Sequence, residues 1–236
     1  MYDNKEDEYF AGYRPELLDL IPEENRNGTA LEIGAGSGKN LIFAKKYGYA
    51  KKIYGVELIE IPNQFQSDSE YEEFIIGDIE ALPLNYEENQ FDVIIMGDVI
   101  EHLVDPYLII RKLKKFLKPG GVIVSSIPNV RNLKTFRNLY MRGTFRYYDD
   151  GIFDRTHLRF FAKKDIMALF TNEGYEIVNI ESELKNKRSS IARNNRITFG
   201  LFEEFLSSQY FTVAKNVKWF IIFKEYTKAL AFNLCS

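Results

Sequence analysis

The sequence predicts an α/β fold in which helices cover both faces of a mostly parallel β-sheet. Segments with strand and helix patterns alternate over about 100 residues, which is typical of a parallel sheet with helical crossovers. The strand segments are mostly continuous apolar runs without strict alternation, which is typical of parallel strands buried on both faces. The 236-residue chain is 45% hydrophobic with a formal net charge of −3, the composition of a globular domain.

Five strands are predicted in the first half of the chain, at residues 29–33, 52–56, 74–76, 91–96 and 122–127. Helices are predicted between them at residues 41–47 and 106–117. The first helix ends near Gly48 and the second before Pro119, since glycine and proline commonly follow helix ends. Pro62 interrupts the stretch after the second strand, so the helix expected there is short or displaced.

The second half of the chain is less regular. A helix is predicted at residues 163–171, a sixth strand at 175–180 and a seventh at 209–214. Residues 145–148 and Phe153 are rich in aromatic rings, which could fill a lid core or stack on a sugar or ring substrate. Between the last two strands lies a basic segment with Lys185, Lys187, Arg188, Arg193 and Arg196. Such a segment is usually a solvated loop, but its cations could bind a phosphorylated or nucleotide-linked acceptor.

Charge and cysteine content exclude several classes of protein. Lys and Arg total 31 against 34 Asp and Glu, and this balance argues against a protein that binds nucleic acid. The single cysteine, Cys235, leaves no disulfide framework, which fits a cytoplasmic protein. The first residues are too acidic for a signal peptide, and no apolar run approaches the ~18 residues of a membrane span.

The clearest motif is the glycine-rich segment 34–38, which follows the first strand and opens a helix. Glycines there allow a sharp turn and a close ligand approach, and the helix start offers unpaired N–H groups. A phosphate-binding P-loop is excluded because Ile33 and Asn40 occupy its glycine and serine/threonine positions. A dinucleotide-binding loop is disfavoured because Lys39 stands where its third glycine is needed. With those two loop types set aside, the pattern that describes the segment is a Gly-x-Gly-x-Gly loop after the acidic Glu32.

This loop resembles motif I of the class I S-adenosylmethionine-dependent methyltransferases. Four further features match the family in the same order, and with the loop they cover residues 29–128. They are Glu57, the turn at 77–80, the segment 91–103 and the turn at 117–121. The resemblance implies a Rossmann-like sheet of seven mostly parallel strands with an antiparallel last strand. It also implies S-adenosylmethionine as cofactor and S-adenosylhomocysteine as product, bound across the C-terminal ends of strands one to four.

The family pattern implies roles for individual residues. It places the Glu57 carboxylate on the ribose hydroxyls and Asp78 at the adenine. Glu32 is expected either to hold the amino group of the methionine moiety or to tie the loop together as a structural acid. The complete set expected at the cofactor is Tyr9, Tyr13, Arg14, Glu32, Gly34, Ala35, Gly36, Gly38, Glu57, Leu58, Asp78, Ile79, Asp98 and Val99.

The resemblance extends to a narrower subgroup. Residues 9–18 and 154–161 resemble segments of bacterial methyltransferases that are often associated with surface polysaccharide or small-molecule tailoring. They imply methyl transfer by in-line displacement to a small-molecule or sugar acceptor. A hydroxyl is the expected acceptor group, and the sequence does not distinguish oxygen from nitrogen or carbon methylation. Tyr9, Tyr13 and Arg14 would then fold over the cofactor as a lid, with Arg14 as a candidate partner for its carboxylate.

Two histidines are the candidate catalytic residues, because imidazole is the only side chain that titrates near neutral pH when unperturbed. His102 follows the fourth strand, and His157 lies after the fifth, where this fold builds its acceptor pocket. Either could act as general base for a hydroxyl acceptor, or could make only structural contacts. The two histidines are far apart in the sequence and Cys235 is nearly terminal, so no metal-ligand cluster is predicted.

The predicted organisation is one domain at residues 1–215, followed by a tail. Its parts are a lid at 1–28, a cofactor-binding core at 29–128, an acceptor-side region at 129–215 and the tail at 216–236. The tail could pack as a helix, contact a second copy or lie on a membrane surface. Two alternatives stay open: a nicotinamide-dependent oxidoreductase, disfavoured by Lys39, and a non-catalytic methyltransferase-like partner subunit.

Overall fold

The computed structural model describes residues 13–62, 64–185 and 190–217 of the chain. The strands are β1 (Gly28–Ile33), β2 (Ala50–Glu57), β3 (Glu73–Ile76), β4 (Phe91–Gly97), β5 (Leu117–Pro128), β6 (Tyr175–Ser182) and β7 (Gln209–Asn216). The α-helices are α1 (Pro15–Leu18), α2 (Lys39–Lys46), α3 (Pro106–Lys114), α4 (Leu133–Phe136), α5 (Lys163–Thr171), α6 (Ser190–Ile197) and α7 (Glu203–Leu206).

The strands form one sheet in the order β3-β2-β1-β4-β5-β7-β6. Strands β1 to β5 pair in parallel, and β7 runs antiparallel to both β5 and β6. This confirms the predicted seven-stranded, mostly parallel sheet with an antiparallel last strand. The strand order reverses between β1 and β4, and open α/β sheets bind ligands outside the carboxyl ends of the strands at such a point.

The predicted elements are present, and their ends differ by a few residues. The helix predicted at 163–171 has the same bounds as α5. Helix α3 ends at Lys114, three residues earlier than predicted, because the buried Leu117 already belongs to β5. Between β2 and β3 the described residues form only a 3₁₀ turn at Phe65–Ser67, which agrees with the interruption expected at Pro62.

Strand β4 shows why the central strands are apolar throughout. Ile94 and Met96 belong to the hydrophobic core that includes residues of α3 and α5. Val93 and Ile95 belong to the core on the other face, which includes residues of α1 and α2. Successive residues of a strand point to opposite faces, so the central residues of a strand covered on both sides are apolar in an unbroken run.

No helix among the described residues is long and apolar enough to cross a membrane. The tail from residue 218 onward, including Cys235, lies outside the described residues. The same holds for Tyr9 of the expected lid and for Lys187 and Arg188 of the basic segment.

Candidate active site

A cavity of about 560 Å³ lies at the carboxyl ends of β1, β2 and β4. Its size is within the usual range for small-molecule sites. One wall, called the loop wall here, is formed by residues 32–36, 56–59 and 77–80. A second wall, called the histidine wall, is formed by residues 102–104 together with Arg155, Thr156 and Leu158.

The loop wall begins with a backbone turn that requires glycine at position 34. Gly34 has a φ of +71°, and a Cβ atom built on it would lie 2.4 Å from Cγ2 of Val99. The N–H groups of Gly34 and Ala35 both donate to the Val56 carbonyl, at 2.8 and 3.1 Å. The chain therefore folds back onto the end of β2, and main chain rather than side chain forms this part of the wall.

Glu57 completes the loop wall at the end of β2 and is only 8% exposed. Its Oε2 accepts a hydrogen bond from the Gly36 N–H at 2.6 Å, and its Oε1 accepts one from the Leu58 N–H at 2.7 Å. Burial raises the pKa of the Glu57 carboxyl, and the backbone donors oppose that shift. Each carboxylate oxygen has a second lone pair, so a carboxylate fixed in this way can still accept hydrogen bonds from ligand hydroxyls.

Glu32 is the most deeply buried acid of the loop wall. Its Oε1 accepts a hydrogen bond from Nδ2 of Asn40 at 2.7 Å, whereas its Oε2 is buried without a hydrogen-bond partner. Burial raises the pKa of Glu32 to about 8, and the Asn40 hydrogen bond and the charge of Arg14 oppose the shift. A buried oxygen without a donor is costly, and a cationic ligand group would remove that cost.

Arg14 connects the N-terminal segment to the cavity floor. Its backbone N–H donates to Oδ1 of Asn40 at 2.9 Å, and its Nη1 lies 2.5 Å from Oδ2 of Asp98. Oδ1 of Asp98 accepts hydrogen bonds from the Ser126 hydroxyl at 2.8 Å and from the Gln209 side chain. Asp98 is therefore a fixed charge at the end of β4, held from three separate parts of the chain.

The turn after β3 links the two walls. Oδ1 of Asp78 accepts a hydrogen bond from the Glu80 N–H at 2.8 Å, which orders the turn that also contains Ile79. The Glu80 carboxylate accepts hydrogen bonds from the backbone N–H groups of Val104 and Asp105, at 2.9 and 2.8 Å. The loop wall is thereby held at a defined distance from the histidine wall.

The histidine wall exists because residues 154–159 dock on the turn that follows β4. The backbone N–H groups of Leu158 and Arg159 donate to the Glu101 carbonyl, at 2.8 and 3.0 Å. The Thr156 carbonyl lies 3.0 Å from Nδ1 of His102. These three contacts bring together two segments that are more than fifty positions apart in the sequence.

The two histidines are neighbours in the structure, with ring centroids 4.8 Å apart. His102 lines the cavity. His157 lies behind it, 9% exposed, with its Nε2 3.9 Å from Oε1 of the buried Glu101. The prediction of no metal-ligand cluster rests on the distance between the two histidines in the sequence. Because their rings are in contact in the structure, that argument does not hold.

Most of the residues expected at the cofactor do line the cavity: Arg14, Glu32, Gly34, Ala35, Gly36, Glu57, Leu58, Asp78, Ile79, Asp98 and Val99. Gly38 does not; with φ at +82° it forms the turn before α2, where an added Cβ would lie 3.1 Å from the Phe65 backbone. Tyr13 is also outside the cavity lining and stacks on Phe43 at a centroid distance of 4.2 Å. Tyr9 lies outside the described residues.

Several lining residues were not predicted. In the sequence, Asn40 is notable only because it lacks the hydroxyl that a P-loop needs. Its hydrogen bonds to Glu32 and Arg14 are visible only in the tertiary structure. Arg155 and Thr156 belong to the segment 154–161 that sequence comparison had singled out. Nothing in that segment indicated which of its side chains would reach the cavity.

Residues 5–180 match the family model of the methyltransferase domain. A demethylmenaquinone methyltransferase from Oceanobacillus iheyensis is 23% identical over 171 residues, which are 65% of this chain and 72% of that protein. A demethylmenaquinone methyltransferase from Staphylococcus aureus is 26% identical over 121 residues, 49% of each chain, so this chain spans about half of its length. The crystal structure of a SAM-dependent methyltransferase from Archaeoglobus fulgidus matches with a TM-score of 0.58 at 22% identity, covering 89% of this chain and 97% of that one.

Proposed function

The chain belongs to the methyltransferase domain family, whose cofactor is S-adenosylmethionine, and on this premise we propose that it methylates a hydroxyl of a small-molecule or sugar acceptor. The observation that carries the proposal is the two-walled cavity. Its loop wall has the carboxylates and open backbone that suit the cofactor, and its histidine wall adds an imidazole to the same cavity. Membership of this family decides against the nicotinamide-dependent oxidoreductase.

The residues of the loop wall fit the cofactor by their chemistry. The buried Oε2 of Glu32 lacks a donor, and the cationic amino group of the methionine moiety would supply one. Glu57 would accept hydrogen bonds from the ribose hydroxyls, while Asp78 and Ile79 would border the adenine. Arg14 lies beside Asp98 on the floor and would meet the cofactor carboxylate there.

When bound, S-adenosylmethionine supplies a methyl group on a positively charged sulfur, and a nucleophile takes this methyl by in-line displacement. An acceptor oxygen forms the new O–C bond as the S–C bond breaks, and the hydroxyl proton must leave. The protein then has to position the acceptor and exclude water. His102 lines the wall where that proton is released, with His157 in contact behind it, so we assign the deprotonation step to this pair.

The acceptor would enter along the histidine wall. Arg155 at its rim is a cation that could hold a phosphate of a phosphorylated or nucleotide-linked acceptor. We propose residues 29–128 as the cofactor-binding core and 129–215 as the acceptor-side region, with the turn at 102–104 of the core contributing to the acceptor side. A ring acceptor of the demethylmenaquinone type is the second candidate, favoured by the apolar Leu103, Val104 and Leu158 on the same wall.

Calorimetric titration of the purified chain with S-adenosylhomocysteine tests the cofactor assignment. We expect binding that Glu57→Ala weakens about ten-fold or more, equivalent to ~1.4 kcal/mol. Glu60→Ala is the matched control, because Glu60 is an exposed acid in the segment after β2 that does not line the cavity. Equal affinity in all three proteins would contradict the assignment.

A radiolabelled methyl-transfer assay then tests the acceptor. Sugar nucleotides and a naphthoquinol are supplied in parallel with the labelled cofactor. Label in the sugar products supports the first proposal, and label in the ring product supports the second. If cofactor binds but no acceptor is labelled, alone or with neighbouring gene products, the non-catalytic partner alternative is favoured.

A further inference from the structure

The least satisfied group in the described residues beside the cavity is the carboxylate of Glu101. It is 1% exposed, and neither of its oxygens has a hydrogen-bond partner. Two neighbouring acids, Asp98 and Asp154, add to its electrostatic cost, and burial is the largest cause of its strongly raised pKa. Buried acids are normally hydrogen-bonded or paired with a cation, so Glu101 requires an explanation.

The histidines beside Glu101 are oriented by backbone carbonyls. Nδ1 of His102 lies 3.0 Å from the Thr156 carbonyl, and Nδ1 of His157 lies 3.0 Å from the Ile152 carbonyl. A carbonyl oxygen can only accept, so Nδ1 carries the proton in both rings. In the neutral tautomer this leaves the lone pair on Nε2. Metal-binding histidines have the same arrangement, in which a backbone acceptor fixes the ring and sets its tautomer.

From this geometry we propose that Glu101, His102 and His157 bind a divalent transition-metal ion. One ligand atom from each residue lies within 4.8 Å of the others, and His157 Nε2 is 3.9 Å from Oε1 of Glu101. Ligand atoms around such an ion lie about 3 to 3.5 Å apart, given metal–ligand bonds of about 2.1 Å. Binding would therefore draw the farthest of these ligand atoms together by up to about 1.3 to 1.8 Å, through rotation of the side chains.

The chemistry of the ligands selects the class of ion. Two imidazole nitrogens and one carboxylate oxygen suit zinc, iron, cobalt or manganese, whereas magnesium and calcium prefer oxygen ligands alone. Three protein ligands leave at least one coordination position open. Because His102 lines the cavity, that position would be available to an acceptor oxygen.

The consequence for catalysis rests on the proposed function. An acceptor hydroxyl bound at the ion would lose its proton more readily, because coordination lowers the pKa of a bound hydroxyl. With the ion bound, the proton would pass to water, because the Nε2 lone pair of His102 would be on the metal. The deprotonation assigned above to the histidine pair then applies to the metal-free chain. Metal binding itself does not depend on this role.

Cobalt titration of the EDTA-treated full chain, carrying an affinity tag without histidine, tests the site. We expect visible d–d absorption that saturates at one Co²⁺ per chain and is displaced by Zn²⁺. Glu101→Gln and His157→Gln should each weaken Co²⁺ binding by at least about ten-fold. Asp149→Asn is the control, because this exposed acid lies eight positions before His157 and pairs only with Arg155. It should bind as the unmodified chain does.

Co²⁺ binding that is absent, or equally strong in all four proteins, would overturn the proposal. X-ray absorption of the zinc-loaded natural chain needs no variant: two imidazole ligands support the site, and an all-oxygen shell contradicts it. S-adenosylhomocysteine binding by the metal-free protein is measured alongside. If S-adenosylhomocysteine binds while Co²⁺ does not, only the metal site is wrong. If Co²⁺ binds while S-adenosylhomocysteine does not, only the cofactor assignment is wrong.

Discussion

The two walls of the cavity are built from the sequence in different ways. On the loop wall, Gly34, Glu57 and Asp78 stand at or within two residues of the ends of β1, β2 and β3, so each is placed by the strand it follows. On the histidine wall, His102 and Thr156 come from segments distant in the sequence, which meet through backbone and side-chain contacts at the turn after β4. Local sequence therefore specifies the cofactor side, and tertiary packing specifies the acceptor side.

A buried acid with at least one unsatisfied oxygen lies in the loop wall, Glu32, and another lies beside the histidine wall, Glu101; the two differ in their surroundings. Glu32 has one donor, Asn40, and the positive charge of Arg14 nearby. Both oxygens of Glu101 are buried without a hydrogen-bond partner, and the negative charges of Asp98 and Asp154 beside it are only partly offset by Arg14. Both arrangements suit a cation, a ligand ammonium group at Glu32 and a metal ion at Glu101. Substitutions on each wall can test this contrast.

The largest effect is expected from Gly34→Ala on the loop wall. The substitution places a methyl group 2.4 Å from Val99 in a left-handed backbone conformation, so the turn must open. We expect S-adenosylhomocysteine affinity to fall about 100-fold or more, measured by calorimetry. Gly143→Ala is the control, because it has a similar φ of +63° with nothing within 4 Å of the added Cβ. If the two variants bound equally well, the turn would not form the cofactor site.

Arg14→Ala should give the next largest effect. It removes the partner of Asp98 and the cation nearest the expected cofactor carboxylate. We expect about a ten-fold loss of S-adenosylhomocysteine affinity, since charge-assisted hydrogen bonds contribute about 1.5 to 3 kcal/mol. Arg111→Ala serves for comparison, because Arg111 pairs with Glu173 away from the cavity. An unchanged affinity for Arg14→Ala would remove Arg14 from the cofactor site.

Glu32→Gln should change how cofactor binding depends on pH. The pKa of Glu32 is about 8, so below that pH the carboxyl is protonated and must lose its proton to pair with an ammonium group. Affinity for S-adenosylhomocysteine should therefore rise from pH 6 toward about 8, by at most about ten-fold per pH unit. The glutamine variant should show a flat profile. A flat profile for the natural chain would indicate that Glu32 is only a structural acid.

The raised pKa of Glu32 also predicts the direction in which the free energy of unfolding changes with pH. The folded chain keeps the Glu32 proton up to about pH 8, whereas the unfolded chain loses it near the ordinary value of 4.5. The free energy of unfolding contributed by this group therefore falls as pH rises between those values. Urea denaturation at several pH values should show a weaker decline for Glu32→Gln. An identical decline would mean that Glu32 is ionised in the folded protein.

Among these substitutions, Arg155→Ala on the histidine wall should change S-adenosylhomocysteine affinity the least. It therefore tests whether the two walls have different roles. Arg155 is more than half exposed and its partner Asp149 almost fully so, so this ion pair adds at most about 1 kcal/mol to stability. We expect unchanged affinity for S-adenosylhomocysteine and, with a phosphorylated acceptor, a KM several-fold higher at unchanged kcat. A loss of cofactor affinity would contradict the division into two walls.

The amino-acid pattern alone is sufficient to predict the sheet and most of the loop wall. Continuous apolar runs locate buried strands, and Gly34, Glu57 and Asp78 are recognisable because each keeps a fixed place relative to a strand end. Such positions depend on interactions within a few residues, which leave a pattern in the sequence.

The other features of the site depend on tertiary packing and cannot be predicted from the sequence pattern. Asn40 belongs to the site because its side chain hydrogen-bonds to Glu32 and to the Arg14 backbone. Tyr13 lies outside the site, where its ring stacks on Phe43. The cluster of Glu101, His102 and His157 arises because residues 154–159 hydrogen-bond to the turn after β4. Those bonds use backbone N–H and carbonyl groups, which every residue carries, so side-chain identity gives no local signal for them.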